Sequence, residues 1–119
     1  MNRKLLALLM AAITLPVAAE QYVKPGAVLT LHAGKGNAEF NINASTGDGS
    51  GVCNMEGTAQ QIAAGESQKH RWVWNDNTSQ CVVVISALKN GKASVMTRGC
   101  EGYCGASAAD AMDGLFNKK

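Results

Sequence analysis

The chain has 119 residues, of which 46% are hydrophobic and 17% charged, and its formal net charge is +2. This length supports one small domain with a single core. Arg3 and Lys4 account for the whole net charge, because residues 20–119 hold nine basic and nine acidic residues. A binder of nucleic acid or of anionic membrane is expected to carry a basic excess, so the composition argues against both partners.

The first nineteen residues are typical of a secretory signal peptide. Arg3 and Lys4 precede an apolar stretch at 5–15, Pro16 interrupts it, and small side chains precede Glu20. A membrane-spanning helix needs roughly 20 apolar residues, so this stretch is too short to be one. We therefore predict a signal peptide at 1–19 and a single β domain at 20–119, located in the periplasm or secreted, without a membrane span.

The first β-hairpin is predicted by residues 27–33 (AVLTLHA) and 38–44 (AEFNINA), which flank the glycine-rich loop 34–37. Closing that loop places four apolar pairs on one face: Ala33 with Ala38, Leu31 with Phe40, Leu29 with Ile42, and Ala27 with Ala44. The other face is mostly polar and pairs His32 with Glu39, Thr30 with Asn41, and Val28 with Asn43. One register thus separates a dry face from a wet face, as expected for strands buried on one side.

Further strands are predicted near 52–59, 70–75, 81–89 and 92–98, with turn-forming residues between them, including 46–51 (TGDGSG). The strand at 52–59 has Cys53, Met55 and Ala59 on one side. The segment 105–116 is compatible with a short helix or with a last strand through Leu115 and Phe116. We favour the strand, because a small sheet needs its edge covered.

Four cysteines follow the predicted cleavage point: Cys53, Cys81, Cys100 and Cys104. An even number in a small exported domain is typical of disulfides, with three possible connectivities. The rival interpretation is a zinc site, but there is no second close pair of cysteines and neither histidine is near a cysteine in sequence. The sequence therefore predicts two disulfides and no metal site.

The dipeptide Asn90-Gly91 lies between two apolar runs and predicts a two-residue type I′ turn, whose central residues both need positive φ. That turn makes Ala87 face Ser94, Ile85 face Met96 and Cys81 face Cys100. Opposed residues of an antiparallel pair are close enough for a disulfide. We therefore favour Cys81–Cys100 with Cys53–Cys104, and the alternative of Cys100–Cys104 with Cys53–Cys81 stays open. The whole pattern predicts an all-β fold, a small antiparallel meander or barrel of about six to eight strands stapled by two disulfides.

Catalytic chemistry has little support in the sequence. Four oxidised cysteines leave no thiolate nucleophile, and His32 and Glu39 face each other only on the wet face of a hairpin. The glycines at 47–51 open no helix, so they do not form a phosphate-binding motif. Asp48 alone supplies too few carboxylates for a calcium loop. We predict that the protein is not an enzyme and has no cofactor.

Trp72 and Trp74 share one face of the strand at 70–75, together with His70. Two indoles on one strand face can form a binding platform for a sugar ring or a protein partner. They can equally fill the core of a small sheet, and the sequence leaves both interpretations open.

The loop after the first hairpin carries a family resemblance. Ala44-Ser45-Thr46-Gly47, followed by Asp48 and residues 49–51, resembles the Ser/Gly loop of the small periplasmic lysozyme inhibitors of Gram-negative bacteria. The Lys/Tyr of that family's pattern is missing downstream. In that family the loop enters the lysozyme active-site cleft of a single-domain β-barrel with a disulfide. The resemblance implies a barrel fold and a contact through Ser45, Thr46, Gly47 and Asp48.

By elimination we expect an exported binding protein, an inhibitor or immunity protein whose partner is a cell-wall hydrolase or another envelope or secreted protein. The first alternative is an envelope domain that binds a glycan or a small apolar ligand through Trp72 and Trp74. The second is a structural or stress-related envelope protein without a fixed ligand.

Overall fold

The computed structural model describes residues 19–46, 51–105, 108 and 110–119. Eight antiparallel strands form a closed barrel in which each strand pairs with its sequence neighbours and the last strand pairs with the first. The strands are β1 (Glu20–Lys24), β2 (Ala27–Ala33), β3 (Asn37–Ser45), β4 (Val52–Ile62), β5 (Gln68–Asn75), β6 (Val82–Leu88), β7 (Ala93–Arg98) and β8 (Gly114–Lys118). A short helix, α1 (Glu101–Cys104), precedes β8.

The structure confirms the predicted all-β fold with two disulfides. The predicted signal peptide lies outside the described residues, apart from Ala19. Within the described part of the chain, no helix is both long and apolar enough to cross a membrane.

The register predicted for the hairpin of β2 and β3 is confirmed in every pair, from Ala33 with Ala38 to Ala27 with Ala44. Leu29 and Ile42 on its dry face are fully buried inside the barrel. A barrel of eight strands has an interior just wide enough to be filled by side chains. The largest fully buried side chains of this core are Trp72, Phe116, Leu29, Ile42, Met55, Ile85 and Met112.

The C-terminal strand preferred from the sequence is also confirmed. In β8, Phe116 is buried in the core and pairs with Ala93, whereas Leu115 points outward. The sequence pattern did not predict β1, which hydrogen-bonds to β2 on one side and to β8 on the other. The barrel is closed through this short strand.

The predicted turn between β6 and β7 is wrong by one residue. Ala87 pairs with Ala93 and Ile85 with Val95, so the loop has three residues, 89–91, instead of two. Only glycines have positive φ among the described residues, so Asn90 does not adopt a type I′ conformation, whereas Gly91 has φ +91°. The physical reason is burial: this register directs Val95 into the core and leaves Met96 63% exposed.

The preferred disulfide connectivity is nevertheless confirmed as Cys53–Cys104 and Cys81–Cys100. Val82 pairs with Arg98, so one extra residue, Gly99, must be inserted before Cys100 can lie opposite Cys81. Gly99 has φ +71°, and a Cβ there would lie 2.5 Å from the Gln80 carbonyl oxygen. The three-residue loop shifts the pairing of β6 and β7 by one position, and the extra residue Gly99 shifts it back. Cys100 therefore lies opposite Cys81, and their Cα atoms are 4.4 Å apart.

Candidate functional site

Both disulfides lie at the same end of the barrel, where β4 and β6 begin and where β3, β5 and β7 end. We call this the stapled end, and its described residues are 45, 46, 51, 52, 76–81 and α1. The opposite end, where β2, β4 and β6 end, is called the mouth. These two ends differ in shape and in charge.

The predicted contact loop leaves the barrel at the stapled end. The Thr46 backbone N–H donates to the Gly51 carbonyl at 3.0 Å, and the Gly51 N–H donates to Thr46 Oγ1 at 3.1 Å. Ser45 pairs with Val52, which is exposed, and Cys53 follows in the disulfide to α1. Gly47 and Asp48 lie outside the described residues. The base of the loop is therefore fixed on both sides.

An aromatic cluster lies next to this loop. β4 pairs with β5 only from Gln60 to Ile62, and Trp74 and α1 lie where the two strands are no longer paired. The Trp74 ring meets the Phe40 and Tyr103 rings edge to face, at centroid distances of 6.0 and 6.1 Å. Gly57 makes room for the indole, since a Cβ there would lie 2.6 Å from Trp74 Nε1. Tyr103 is 39% exposed and forms the outer side of the cluster.

Tyr103 is held by a carboxylate on the neighbouring loop. Its hydroxyl donates to Asp76 Oδ2 at 2.5 Å, while the Thr78 N–H and hydroxyl and the Ser79 hydroxyl also donate to Asp76. The Thr78 hydroxyl, followed by Tyr103, holds the pKa of Asp76 well below its ordinary value. The same contact raises the pKa of Tyr103. The phenol ring is thus fixed in position by a charge-assisted hydrogen bond.

Charge is segregated between the two ends. Among the described residues, four acids lie at or beside the stapled end, Asp76, Glu101, Asp110 and Asp113, together with two bases, Lys24 and Arg98, at the ends of β1 and β7. The mouth has two acids, Glu20 and Glu66, and six lysines in loops or near strand ends: Lys35, Lys69, Lys89, Lys92, Lys118 and Lys119. Residues 20–119 sum to zero charge, but the described acids outnumber the bases at the stapled end and the lysines outnumber the acids at the mouth.

The two tryptophans do not form the shared surface platform considered from the sequence. Trp72 is only 2% exposed and lines a cavity at the mouth, while Trp74 packs toward α1. The sequence placed them on one strand face, but β5 lies in a closed barrel, so that face points inward. His70 is exposed and stacks on Trp72 at 5.5 Å between ring centroids.

His32 and Glu39 lie where the sequence placed them, on the wet outer face of β2 and β3. They line a shallow groove of about 510 Å³ together with Thr30, Asn41, Glu56 and Thr58. Across the described ranges, no group of three or more His, Cys, Asp or Glu side chains could hold a metal ion.

Sequence reasoning missed Tyr103, Asp76 and Gly57. Asp76 precedes Asn-Thr-Ser, a pattern whose side chains bond to nearby backbone and stabilise turns. Tyr103 lies between two disulfide-bonded cysteines, which indicates a side chain held on a constrained segment. Gly57 gives no local signal, because its role depends on a residue of the next strand.

A scan of the chain against protein-family models found no match, and searches of curated proteins and of solved structures also found no significant match.

Proposed function

We propose that this protein is an exported binding protein that uses its stapled end to inhibit or neutralise another envelope or secreted protein, with a cell-wall hydrolase as the leading class. The observation that carries the proposal is the fixed position of Tyr103. The Asp76 carboxylate and the Cys53–Cys104 disulfide hold this exposed aromatic ring beside the base of the loop at 45–52.

Such an arrangement favours protein binding for energetic reasons. Tyrosine and tryptophan are enriched among the few interface residues that dominate affinity. Side chains and loops that are already ordered lose less entropy on association, so more of the contact energy appears as affinity. Binding residues are also commonly found on loops held by a rigid scaffold. Ser45, Thr46, Val52 and Tyr103 fit this description.

The acidic residues of the stapled end indicate the chemistry of the partner. Asp76 accepts a hydrogen bond from Tyr103, Glu101 begins α1, and Asp110 and Asp113 lie between α1 and β8, so the described acids outnumber the bases Lys24 and Arg98 at this end. A partner with a basic surface around its cleft would be attracted to this end and repelled by the lysine-rich mouth. We therefore expect association to slow as ionic strength rises, because exposed charges are screened.

Export is supported by the disulfides and by the position of β1. Two disulfides in a small barrel suit an oxidising compartment. Strand β1 begins at Glu20, so removal of residues 1–19 leaves every strand of the barrel in place. The proposed mature protein is therefore residues 20–119, in the periplasm or secreted.

The experiment measures inhibition of a panel of lysozymes and amidases by oxidised mature protein, with binding followed by surface plasmon resonance. Val52→Asp and Met96→Asp form a matched pair, because both residues are apolar and 63% exposed but only Val52 lies at the stapled end. We expect Val52→Asp and Tyr103→Ala to weaken binding about tenfold or more, and Met96→Asp to leave it unchanged.

The proposal fails if the mature protein leaves every hydrolase active and captures no envelope protein by pull-down. It also fails if a captured partner is released equally by Val52→Asp and Met96→Asp, since binding would then not depend on the stapled end.

A further inference from the structure

We propose that the mouth of the barrel is a second binding site, for a small carboxylate with a compact apolar body. A cavity of about 220 Å³ opens there. It is smaller than the roughly 300 Å³ at which drug-sized sites begin. The ligand class is therefore limited to molecules of about the size of an amino acid side chain with one charged group.

The inner wall of the cavity is apolar. It is formed by Tyr22, Leu31, Ala33, Trp72, Ala87 and Leu88. Tyr22, Leu31 and Trp72 are buried, so this part of the wall belongs to the packed core. Transfer of a phenyl or short alkyl group from water onto this wall is favourable in proportion to the apolar area that it covers.

The rim of the cavity is cationic. Lys69, Lys92 and Lys118 line it, with Glu20 as the one acid. Lys118 Nζ is already paired with Glu20 Oε1 at 2.8 Å. Within the described ranges Lys69 and Lys92 make no salt bridge, so both ammonium groups can receive an anion. The other lysines of the mouth add to the local positive potential and increase the rate at which anions arrive.

A buried donor supports the same ligand chemistry. Trp72 lines the cavity, and its indole Nε1 is buried without a hydrogen-bond acceptor among the described residues. An unsatisfied buried donor costs about 1–3 kcal/mol. His70 stacks on the same indole and holds the ring in place. A carboxylate oxygen that reached this donor would supply the acceptor, while the rim lysines would stabilise its charge.

This site does not depend on the proposed function. The mouth and the stapled end are at opposite ends of the barrel, and none of the residues that line the cavity belongs to the contact loop or to the aromatic cluster.

The test titrates oxidised mature protein with 3-phenylpropionate and, as the uncharged control, with 3-phenylpropanamide. Isothermal calorimetry measures affinity, and the indole N–H resonances measured by NMR locate the site. We expect saturable 1:1 binding of the carboxylate, with binding of the amide about tenfold weaker. The Trp72 indole resonance should shift, and the Trp74 resonance should not.

Two lysines of one turn form the matched variants. Lys92 lines the cavity, whereas Lys89, three residues earlier, does not. We expect Lys92→Gln to weaken carboxylate binding about fivefold to tenfold without changing amide binding, and Lys89→Gln to change neither. Ala33→Leu narrows the cavity at an exposed position and should weaken both ligands. Tyr103→Ala should have no effect, which separates this site from the stapled end.

The proposal is overturned if neither ligand gives saturable binding, if the amide binds as tightly as the carboxylate, or if Lys89→Gln weakens binding as much as Lys92→Gln. A shift of the Trp74 resonance in place of the Trp72 resonance would also contradict it.

Discussion

The indole of Trp74 lies directly over Gly57, so close that a Cβ atom on Gly57 would come within 2.6 Å of Nε1 and 3.0 Å of Cδ1. The same indole meets the Tyr103 ring edge to face, at 6.1 Å between ring centroids. Gly57 on β4 thus leaves room for the indole that packs against the exposed tyrosine of the stapled end.

We expect Gly57→Ala to displace Trp74 and to lower the free energy of unfolding by about 1–3 kcal/mol, as in other overpacked cores. The control is Gly102→Ala, because a Cβ on Gly102 meets no atom within 4 Å. Urea denaturation of both variants measures the effect. Equal stability of the two variants would show that the indole moves aside without cost.

Gly99 and Gly91 allow the cost of positive φ to be separated from the cost of a close contact. Both have positive φ, but a Cβ on Gly99 would meet the Gln80 carbonyl at 2.5 Å, whereas a Cβ on Gly91 meets nothing. We expect Gly91→Ala to cost about 1–2 kcal/mol of unfolding free energy and Gly99→Ala to cost clearly more. The measurement is urea denaturation, with mass spectrometry to test whether Cys81–Cys100 still forms. If the two variants lose similar amounts of unfolding free energy, the bulge at Gly99 is not the element that aligns Cys81 with Cys100.

The two disulfides should differ in their contribution to stability. Cys53–Cys104 spans 51 residues and Cys81–Cys100 spans 19. The chain-entropy relation gives about 4 kcal/mol for the longer loop and about 3 kcal/mol for the shorter one. Replacement of each pair by alanine, followed by denaturant unfolding, tests this order. A larger loss on removal of Cys81–Cys100 would be the opposite of what loop length predicts.

Acid should release Tyr103 from Asp76. Hydrogen bonds to the Asp76 carboxylate lower its pKa in the folded state, so this group stabilises the fold above the ordinary aspartate pKa of about 3.9. That stabilisation is lost as the pH falls below this value toward the lower pKa of the folded state. The stability difference between the native protein and Asp76→Asn should therefore be largest near neutral pH and should shrink below about pH 4. A difference that stays constant from pH 7 to pH 2 would contradict this coupling.

The sequence predicted the parts of the fold that depend on local alternation. The hairpin of β2 and β3 was correct in every pair because a shift by one residue would expose Leu29 and Ile42. The two-residue turn predicted at Asn90-Gly91 was wrong, because this dipeptide also fits a three-residue loop. Burial of Val95 in the core decides between the two loop lengths. The correct pairing of Cys81 with Cys100 thus followed from an incorrect register that Gly99 compensates.

The candidate site was less predictable because it is assembled from distant segments. Gly57, Trp74 and Tyr103 lie on three different elements, and no local pattern joins them. Composition indicates a neutral domain, yet the folded chain has an excess of lysines at the mouth and an excess of acids at the stapled end. This distribution depends on which loops lie at which end of the barrel, and composition carries no information about that.

The pairing of β1 with β8 has a consequence for the export that we propose. The first and last strands lie side by side, and the Lys119 N–H donates to the Gln21 carbonyl at 2.9 Å. A chain that crosses a membrane amino end first therefore exposes the free edge of β1 until its final residues have followed. An unpaired edge is a template for aggregation. The proposed export therefore requires that the nascent sheet be kept apart from other chains until translocation is complete.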